Sequence, residues 1–241
     1  MPFIKNVIYF EKMRKISALI ILLVLALGVK AQEGFSISPF VGFAGSGIGI
    51  KNDNENVQSY TGMKVGFVGG LKFQYEFAKP FLVEFQSFYN RCGYSLTVPE
   101  TGMSEHIDFY MDFISIPFLV GYNFYVGEND NFIISPKVGI APNIFVNTFA
   151  KYQDAEFDTK VDNKVDWRGI LELEFTWKVN SLMSVFMNVN GRAGWGIITY
   201  SNISDFVSDW KDPGIYNYVV SGNLGLKFKI TNREKEVYEF Y

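Results

Sequence analysis

The chain has 241 residues, of which 17% are aromatic and 20% charged, and its formal net charge is −3. This charged fraction excludes a helical membrane protein, and the small net charge without a basic block argues against nucleic acid as a partner. The one cysteine, Cys92, excludes an internal disulfide, and we interpret its thiol as inert.

The N-terminus has the features of an export signal. A basic segment at 13–15 precedes an apolar run at 16–29 and a small-residue cleavage site that ends at Ala31. The run is shorter than the roughly 20 residues with which a helix spans a bilayer. Residues 1–31 are therefore predicted to be a signal peptide, with Met13 as an alternative start, and residues 32–241 the mature domain. An uncleaved anchor helix is the alternative.

Most of the mature chain alternates apolar and polar side chains with a period of two, as strands with two different faces do. The predicted strands are residues 35–43, 63–77, 81–90, 107–124, 132–147, 167–178, 182–198 and 216–230. Pro117 lies inside the fourth of them and lacks an amide donor, so we expect a β-bulge there.

The segment 167–178 shows the pattern most clearly. Trp167 and Trp177 delimit an apolar face, whereas Arg168, Glu172 and Glu174 lie on the opposite face. At about 3.3 Å per residue and a tilt of roughly 40°, the two indoles are about 25 Å apart along a membrane normal. This spacing is typical of the apolar band of an outer-membrane barrel.

The predicted connections alternate in length along the chain. Long polar loops at 44–62, 91–106, 148–166 and 199–215 alternate with short turns at 78–80, 127–130 and 179–181. An even number of antiparallel strands with short periplasmic turns and long outer loops is typical of bacterial outer-membrane proteins. The sequence thus predicts an all-β fold: a closed, antiparallel, up-and-down transmembrane barrel of about eight strands.

The direction of the apolar face separates this fold from a soluble, lipocalin-like periplasmic ligand carrier. An eight-stranded barrel has an interior just wide enough for side chains, and the rings of the apolar faces would overfill it. We therefore expect the apolar face outward and a paired ion network inside, with a gated polar pore as the alternative. The predicted inward charges are Lys72, Glu84, Lys137, Arg168, Glu172, Glu174, Arg192 and Lys227.

A catalytic alternative arises from His106, the only histidine. With Ser104, Glu105 and Asp108 nearby it suggests an outer-membrane lipid-hydrolysing enzyme, because a serine nucleophile needs a base that a third group orients. Nothing else singles these residues out, and we interpret His106 as a solvated loop residue.

Two further segments look like ligand loops but lack the required spacing. Gly45–Gly49 has no dinucleotide-binding spacing, and Asn52–Asn56 has no EF-hand spacing. Both are interpreted as outer-loop sequence. Since no histidine and cysteine cluster offers a transition-metal site, we predict no catalytic, cofactor-binding or metal-binding residues and no cofactor.

Three short motifs resemble the PorT-like outer-membrane β-barrel family of Gram-negative bacteria. They are Lys30-Ala31-Gln32, the segment 113–124 with its Ile-Pro step, and Gly222–Phe228. The resemblance implies a small barrel in the cell outer membrane, without a shared catalytic motif, and the founding member is linked to secretion of cell-surface proteins. The tail 231–241 departs from the usual chain end on the last strand.

The expected function is therefore non-enzymatic: a structural or adaptor role linked to protein secretion or cell-surface assembly, exerted through the outer loops or the periplasmic face. The expected partners are outer-membrane lipid and lipopolysaccharide, the barrel assembly machinery during insertion, and proteins that bind the outer loops.

Overall fold

The structure, a computed structural model, describes residues 34–51, 60–100, 103–127, 130–152, 155–158, 164–194 and 214–230. The elements are β1 (Phe35–Lys51), β2 (Tyr60–Ala78), β3 (Phe81–Glu100), β4 (Met103–Ser115), β5 (Phe118–Tyr122), β6 (Phe124–Val126), β7 (Phe132–Tyr152), β8 (Ala155–Asp158), β9 (Val165–Lys178), β10 (Met183–Gly194) and β11 (Gly214–Ile230). Within these ranges, no helix has the length and apolar character to cross a membrane. The predicted signal peptide, 1–31, and the tail, 231–241, lie outside them.

The strands form one antiparallel sheet that closes on itself. From β1 the pairing runs through β11, β10, β9, β7, β4 and β3 to β2, and β2 pairs with β1. β5 and β6 continue the line of β4 along β7, while β8 folds back against the end of β7. The described strands therefore occupy about eight positions around a closed barrel, and the predicted fold class is confirmed.

The two faces of the barrel wall are sorted as the alternation predicts. On β9, Trp167 is 50% and Leu171 68% exposed, whereas Arg168 and Glu174 are 0% exposed. The same alternation holds on β10, where Val185, Met187 and Val189 are exposed. The apolar face therefore points outward, as predicted, and the alternative of a soluble carrier with an apolar interior is wrong.

The two ends of the barrel differ. At one end, here the turn end, β2 and β3 are joined through residues 79–80 and β9 and β10 through residues 179–182. At the opposite loop end, paired strands continue well beyond the predicted boundaries. Residues 91–100 and 103–106 belong to the β3–β4 hairpin, where Thr97 lies opposite His106. β1 likewise contains Gly45–Gly49, and β7 continues to Tyr152.

All four predicted long loops are thus partly strand. In each case a neighbouring strand supplies partners for the backbone N–H and C=O groups. The segment Asn52–Asn56 and most of the predicted loop 199–215 lie outside the described residues.

Pro117 interrupts the fourth predicted strand without the expected bulge. Phe88 pairs with Ser115 and Phe85 with Phe118, so the register is the same on both sides of the proline. The carbonyl of Pro117 still accepts a hydrogen bond from the backbone N–H of Gln86 at 3.0 Å. The proline therefore removes one donor without inserting a residue.

The register shift lies instead between Asp112 and Phe113, which pair with Asn147 and Phe145. Because the extra residue on β7 reverses which side chains point outward, Asn147 is exposed rather than inward as predicted. Beyond this point Phe149 lies on the outward side, where it pairs with Tyr110 and is covered by Tyr110 and Arg91, and Thr148 lies on the inward side.

Candidate functional site: the layered barrel interior

The interior of the turn-end half holds a layer of ion pairs, here called the charged layer. Its members come from five different strands and are Lys72, Glu84, Lys137, Glu172, Glu174 and Lys227. Lys72 Nζ lies 2.7 Å from Glu172 Oε1 and 2.9 Å from Glu174 Oε2. Lys137 Nζ lies 2.7 Å from Glu84 Oε2 and 2.7 Å from Glu174 Oε2. Three ammonium groups thus face three carboxylates.

Glu174 is the centre of the charged layer. Its Oε2 accepts from Lys72 and Lys137, and its Oε1 accepts from Lys227 Nζ at 2.6 Å. Neutral donors complete the network, since Gln86 Nε2 donates to Glu84 Oε1 at 2.6 Å and to Glu172 Oε2 at 3.1 Å. Buried charges are tolerated when they are paired and hydrogen-bonded, and this layer meets that condition.

The three carboxylates of the charged layer bring oxygen atoms within 4.8 Å of one another, as a metal site would. The ammonium groups of Lys72 and Lys137 already sit among these oxygens. A divalent cation placed there would meet two positive charges within hydrogen-bond distance of its ligands. The arrangement therefore fits an ion-pair network rather than a metal centre.

A cluster of apolar side chains, here called the aromatic plug, fills the bore next to the charged layer. It consists of Phe40, Val68, Phe88 and Phe186, all at most 4% exposed. The rings of Phe40 and Phe88 meet edge to face at 5.6 Å. Lys72 Nζ lies 4.8 Å from the centre of the Phe186 ring, so the charged layer and the plug are in direct contact. These aromatic side chains face inward and were not singled out in the sequence.

Gly225 makes room for the aromatic plug. A Cβ at this position would lie 2.4 Å from the Pro39 carbonyl oxygen and 2.5 Å from Phe186 Cζ. The absent side chain lets the Phe186 ring lie against the backbone of β11.

On the other side of the aromatic plug lies an arginine layer, formed by Arg168 on β9 and Arg192 on β10. Arg192 Cζ is 5.1 Å from the centre of the Phe88 ring, and Arg168 Cζ is 4.6 Å from that of Phe113. Arg168 Nε also donates to Asp166 Oδ2 at 2.6 Å. Following the bore from the turn end, the order is therefore charged layer, aromatic plug and arginine layer. All eight predicted inward charges point into the bore, as expected.

The outer wall at the loop end carries a different set of charges, here called the outer belt. Arg91 makes two hydrogen bonds to Asp112, at 2.8 and 2.9 Å. Lys64 Nζ lies 2.8 Å from Asp108 Oδ2, and Ser95 Oγ lies 2.6 Å from Asp108 Oδ1. Among the β3 side chains whose exposure the structure describes, the exposed apolar ones end at Tyr89, next to Arg91.

Of the catalytic alternative, the structure describes the backbone of three residues and the side chain of Asp108. Ser104, Glu105 and His106 lie in β4, opposite Pro99, Val98 and Thr97. His106 is therefore part of a paired strand, not the loop residue we expected. Asp108 accepts hydrogen bonds from Lys64 and Ser95, so the structure ties it to the outer belt.

The buried thiol of Cys92 lies in the bore, where both guanidinium groups of the arginine layer are within electrostatic range. The Ser46 hydroxyl beside it is engaged with the backbone of the next residue on β3, Gly93, at 2.5 and 2.8 Å. These contacts connect β1 to β3 across the interior and help to fill the loop-end half of the bore.

Comparison with known proteins agrees with the geometry. Residues 30–200 match the family described as "Outer membrane protein beta-barrel domain". No curated protein sequence matches the chain. Among solved structures, the outer membrane protein OprG from Pseudomonas aeruginosa shares 16% identity over 83% of this chain and 98% of that chain, with a TM-score of 0.56.

Two further structures are similar at lower scores. Neisserial surface protein A shares 12% identity over 83% of this chain and 99% of that chain, with a TM-score of 0.43. The attachment invasion locus protein Ail of Yersinia pestis shares 13% identity over 81% of this chain and 99% of that chain, with a TM-score of 0.36. The closed antiparallel ring, the outward apolar face and the match over most of the chain together show that this protein belongs to the outer membrane protein β-barrel family and lies in the cell outer membrane.

Proposed function

We propose that the protein is a non-enzymatic barrel with a structural or adaptor role in protein secretion or cell-surface assembly, and that it acts through its outer end. The observation that carries this proposal is the height of the β3–β4 hairpin. From Arg91 to Glu100 the paired strands rise about 23 Å, taking about 3.3 Å per residue and a tilt of roughly 40°. Strands that leave the bilayer this far present a rigid surface to other molecules.

The filled bore supports an adaptor role over a transport role. An eight-stranded barrel leaves room for side chains but no water channel. Here the charged layer and the aromatic plug occupy consecutive levels of the bore, and their members are buried except for the part-buried Lys227. A solute that crossed the barrel would have to separate ion pairs at 2.6–2.9 Å and then displace several phenyl rings.

The secretion part of the proposal rests on the PorT-like resemblance, which is finer than the family shown above. Its most specific motif, the Ile-Pro step before residues 118–124, forms an interruption that keeps its register on both neighbouring strands. The outward side chains on both sides of it, Ile114 and Phe118, remain exposed. The motif is thus a feature of the lipid-facing wall.

The outer belt gives the barrel a fixed boundary against lipid headgroups, which are among the partners we propose. Arg91 and Lys151 extend outward beside the stacked rings of Tyr110 and Phe149, whose centroids are 5.0 Å apart. Cationic side chains next to aromatic rings suit the interface between acyl chains and anionic lipopolysaccharide headgroups. The barrel assembly machinery is the partner we propose for insertion.

The proposal is tested by shortening the β3–β4 hairpin in the native host. A variant that joins Ser95 to Asp108 through an Asn-Gly turn keeps the outer belt and removes the projection. In a deletion strain, this variant is expected to fold, as heat-modifiable migration would show, and to leave surface proteins undelivered, as quantitative proteomics of the cell surface would show. The full-length chain is the control. Delivery equal to that control would overturn the role of the outer end.

The enzyme alternative has a separate readout. Purified protein in mixed micelles is expected to release no fatty acid from lipid A or phospholipid. Hydrolysis by the wild-type chain that His106→Ala abolishes would replace the adaptor role with an enzymatic one. A stable conductance in planar bilayers would instead favour a pore.

A further inference from the structure

We propose that the arginine layer is a binding site for a small oxyanion inside the barrel, with Arg168 and Arg192 as its ligands. The inference does not depend on the adaptor role. Arg168 is 0% and Arg192 2% exposed, so both guanidinium groups are removed from bulk water. The two residues lie on adjacent paired strands, with Arg192 opposite Ile170 and Arg168 opposite Gly194, two positions apart on the same face.

The hydrogen-bonding capacity of the two guanidinium groups is largely unused. Each carries five N–H donors and no acceptor. Within the described residues, Arg168 Nη1 and Nη2 and Arg192 Nε, Nη1 and Nη2 have no hydrogen-bond partner. The one hydrogen bond of the pair runs from Arg168 Nε to Asp166 Oδ2. The Phe113 and Phe88 rings that contact the guanidinium groups carry no lone-pair acceptor, so these N–H groups remain without a hydrogen bond.

Neighbouring polar side chains in the bore are short of partners as well. Among the described residues, the side-chain amides of Asn90 and Asn217 have no hydrogen-bond partner on nitrogen or oxygen, and both residues are at most 2% exposed. Rotation of these amides toward the arginines would satisfy some of the N–H groups. Yet every amide brings two N–H donors of its own, so the layer stays richer in donors than in acceptors.

The charge of the arginine layer is also unbalanced, unlike that of the charged layer. There, three ammonium groups face three carboxylates. In the arginine layer, the described ion pairs offer one carboxylate for two guanidinium groups: Asp166 pairs with Arg168, and Arg192 has no carboxylate partner among them. A buried charge without a partner is strongly unfavourable, whereas a planar guanidinium pairs with an oxyanion through two parallel hydrogen bonds. An oxyanion supplies both the missing negative charge and the missing hydrogen-bond acceptors.

The aromatic plug separates the arginine layer from the turn end, so the oxyanion enters from the outer mouth. Carboxylate and phosphate share the required chemistry, and phosphate is available both as the free ion and on lipid headgroups. Entry requires side chains of the loop-end half to move, because the unpartnered nitrogen atoms have almost no accessible surface as they stand.

The test is calorimetric titration of the full chain, refolded in detergent, with inorganic phosphate, acetate and, in a separate arm, lipid A. Saturable binding of phosphate or acetate at one site per barrel identifies a free anion as the source, whereas binding of lipid A alone identifies a headgroup. Arg192→Gln is expected to weaken the binding at least tenfold. Arg91→Gln, an outer-belt arginine outside the bore, is expected to leave the binding of phosphate and acetate within twofold.

Two checks keep the result interpretable. Heat-modifiable migration shows that each variant is folded, and Arg192→Lys, which keeps the charge but loses the planar fork, is expected to bind with intermediate affinity. Because a ligand that binds only the folded state raises the melting temperature, phosphate is expected to stabilise the wild type more than Arg192→Gln. Absence of saturable binding in all three arms, or binding that Arg192→Gln leaves unchanged, would overturn the proposal.

Discussion

Replacing Glu174 with glutamine removes one charge from the middle of the charged layer while it keeps the shape of the side chain. Its carboxylate accepts from three lysines, at 2.6 Å from Lys227, 2.7 Å from Lys137 and 2.9 Å from Lys72. Lys72 and Lys137 also contact Glu172 at 2.7 and 3.1 Å, so they keep a partner. Lys227 has no other carboxylate among the described ion pairs.

The expected loss therefore corresponds to one broken buried pair rather than three. Removing one partner of a buried pair costs about 3–5 kcal/mol, and the lower end applies because 13% of the Lys227 side chain is exposed and retains some hydration. We expect Glu174→Gln to lower the free energy of unfolding by about 3 kcal/mol. Urea titration of the barrel refolded in detergent, followed by tryptophan fluorescence, measures this change.

The double variant Glu174→Gln with Lys227→Met separates charge balance from shape. Removing both partners restores neutrality, so we expect it to recover about 2 kcal/mol of the loss. Asp130→Asn is the control, because the Asp130–Lys79 pair is exposed at the turn end and contributes about 0.5 kcal/mol. Additive effects of the two single changes, or a loss for Glu174→Gln no larger than that for the control, would refute the ion-pair account.

Three further changes probe other parts of the barrel by the same unfolding assay or by conductance. Leu171→Lys places a charge on the lipid face midway between the two indoles and is expected to cost about 2–4 kcal/mol, whereas Val179→Lys beyond the band is expected to be nearly neutral; equal costs would contradict the assigned band. Gly225→Ala brings a Cβ to 2.4 Å from the Pro39 carbonyl oxygen and is expected to cost about 1–3 kcal/mol, while Gly222→Ala, with nothing within 4 Å, is the harmless control. Phe186→Ala removes the ring that separates Lys72 from β11 and is expected to produce ion conductance in planar bilayers that the wild type lacks; an equally silent variant would show that the aromatic plug does not close the bore.

The wall of the barrel was predictable from the sequence because its signal is local. Trp167 and Leu171 are exposed and Arg168 and Glu174 buried in the order that the period of two predicts. A strand has only two faces, so one volume argument fixes which of them meets lipid.

The sequence predicts loop-end strands that are too short, because glycine-rich segments such as Gly45–Gly49 are typical of loops. In the structure they lie in β1 opposite Tyr216–Val220 of β11. Pairing with a strand that is remote in sequence overrides the local preference. The same reason explains why His106, interpreted as a loop residue, belongs to a strand.

The layering of the bore was not predictable from the sequence. The period of two shows that Phe88 lies on the same face as Glu84, and Phe186 on the same face as Asn188, so all four point inward. It does not show at which height along the barrel axis each side chain lies. That height follows from the stagger between strands, which depends on pairings such as Val189 with Gly222 and on the register shift beside Phe113. The imbalance of donors in the arginine layer became visible only once these heights were known.

The central claim is that tryptophans meet hydrocarbon while charged side chains fill the interior, and quenching of single-tryptophan variants tests it most directly. In a chain that keeps only Trp177, and in one that keeps only Trp167, lipids brominated on the acyl chains are expected to quench the fluorescence strongly, and aqueous iodide only weakly. Strong quenching by iodide with none by the brominated chains would place the indoles away from lipid and contradict the barrel described here.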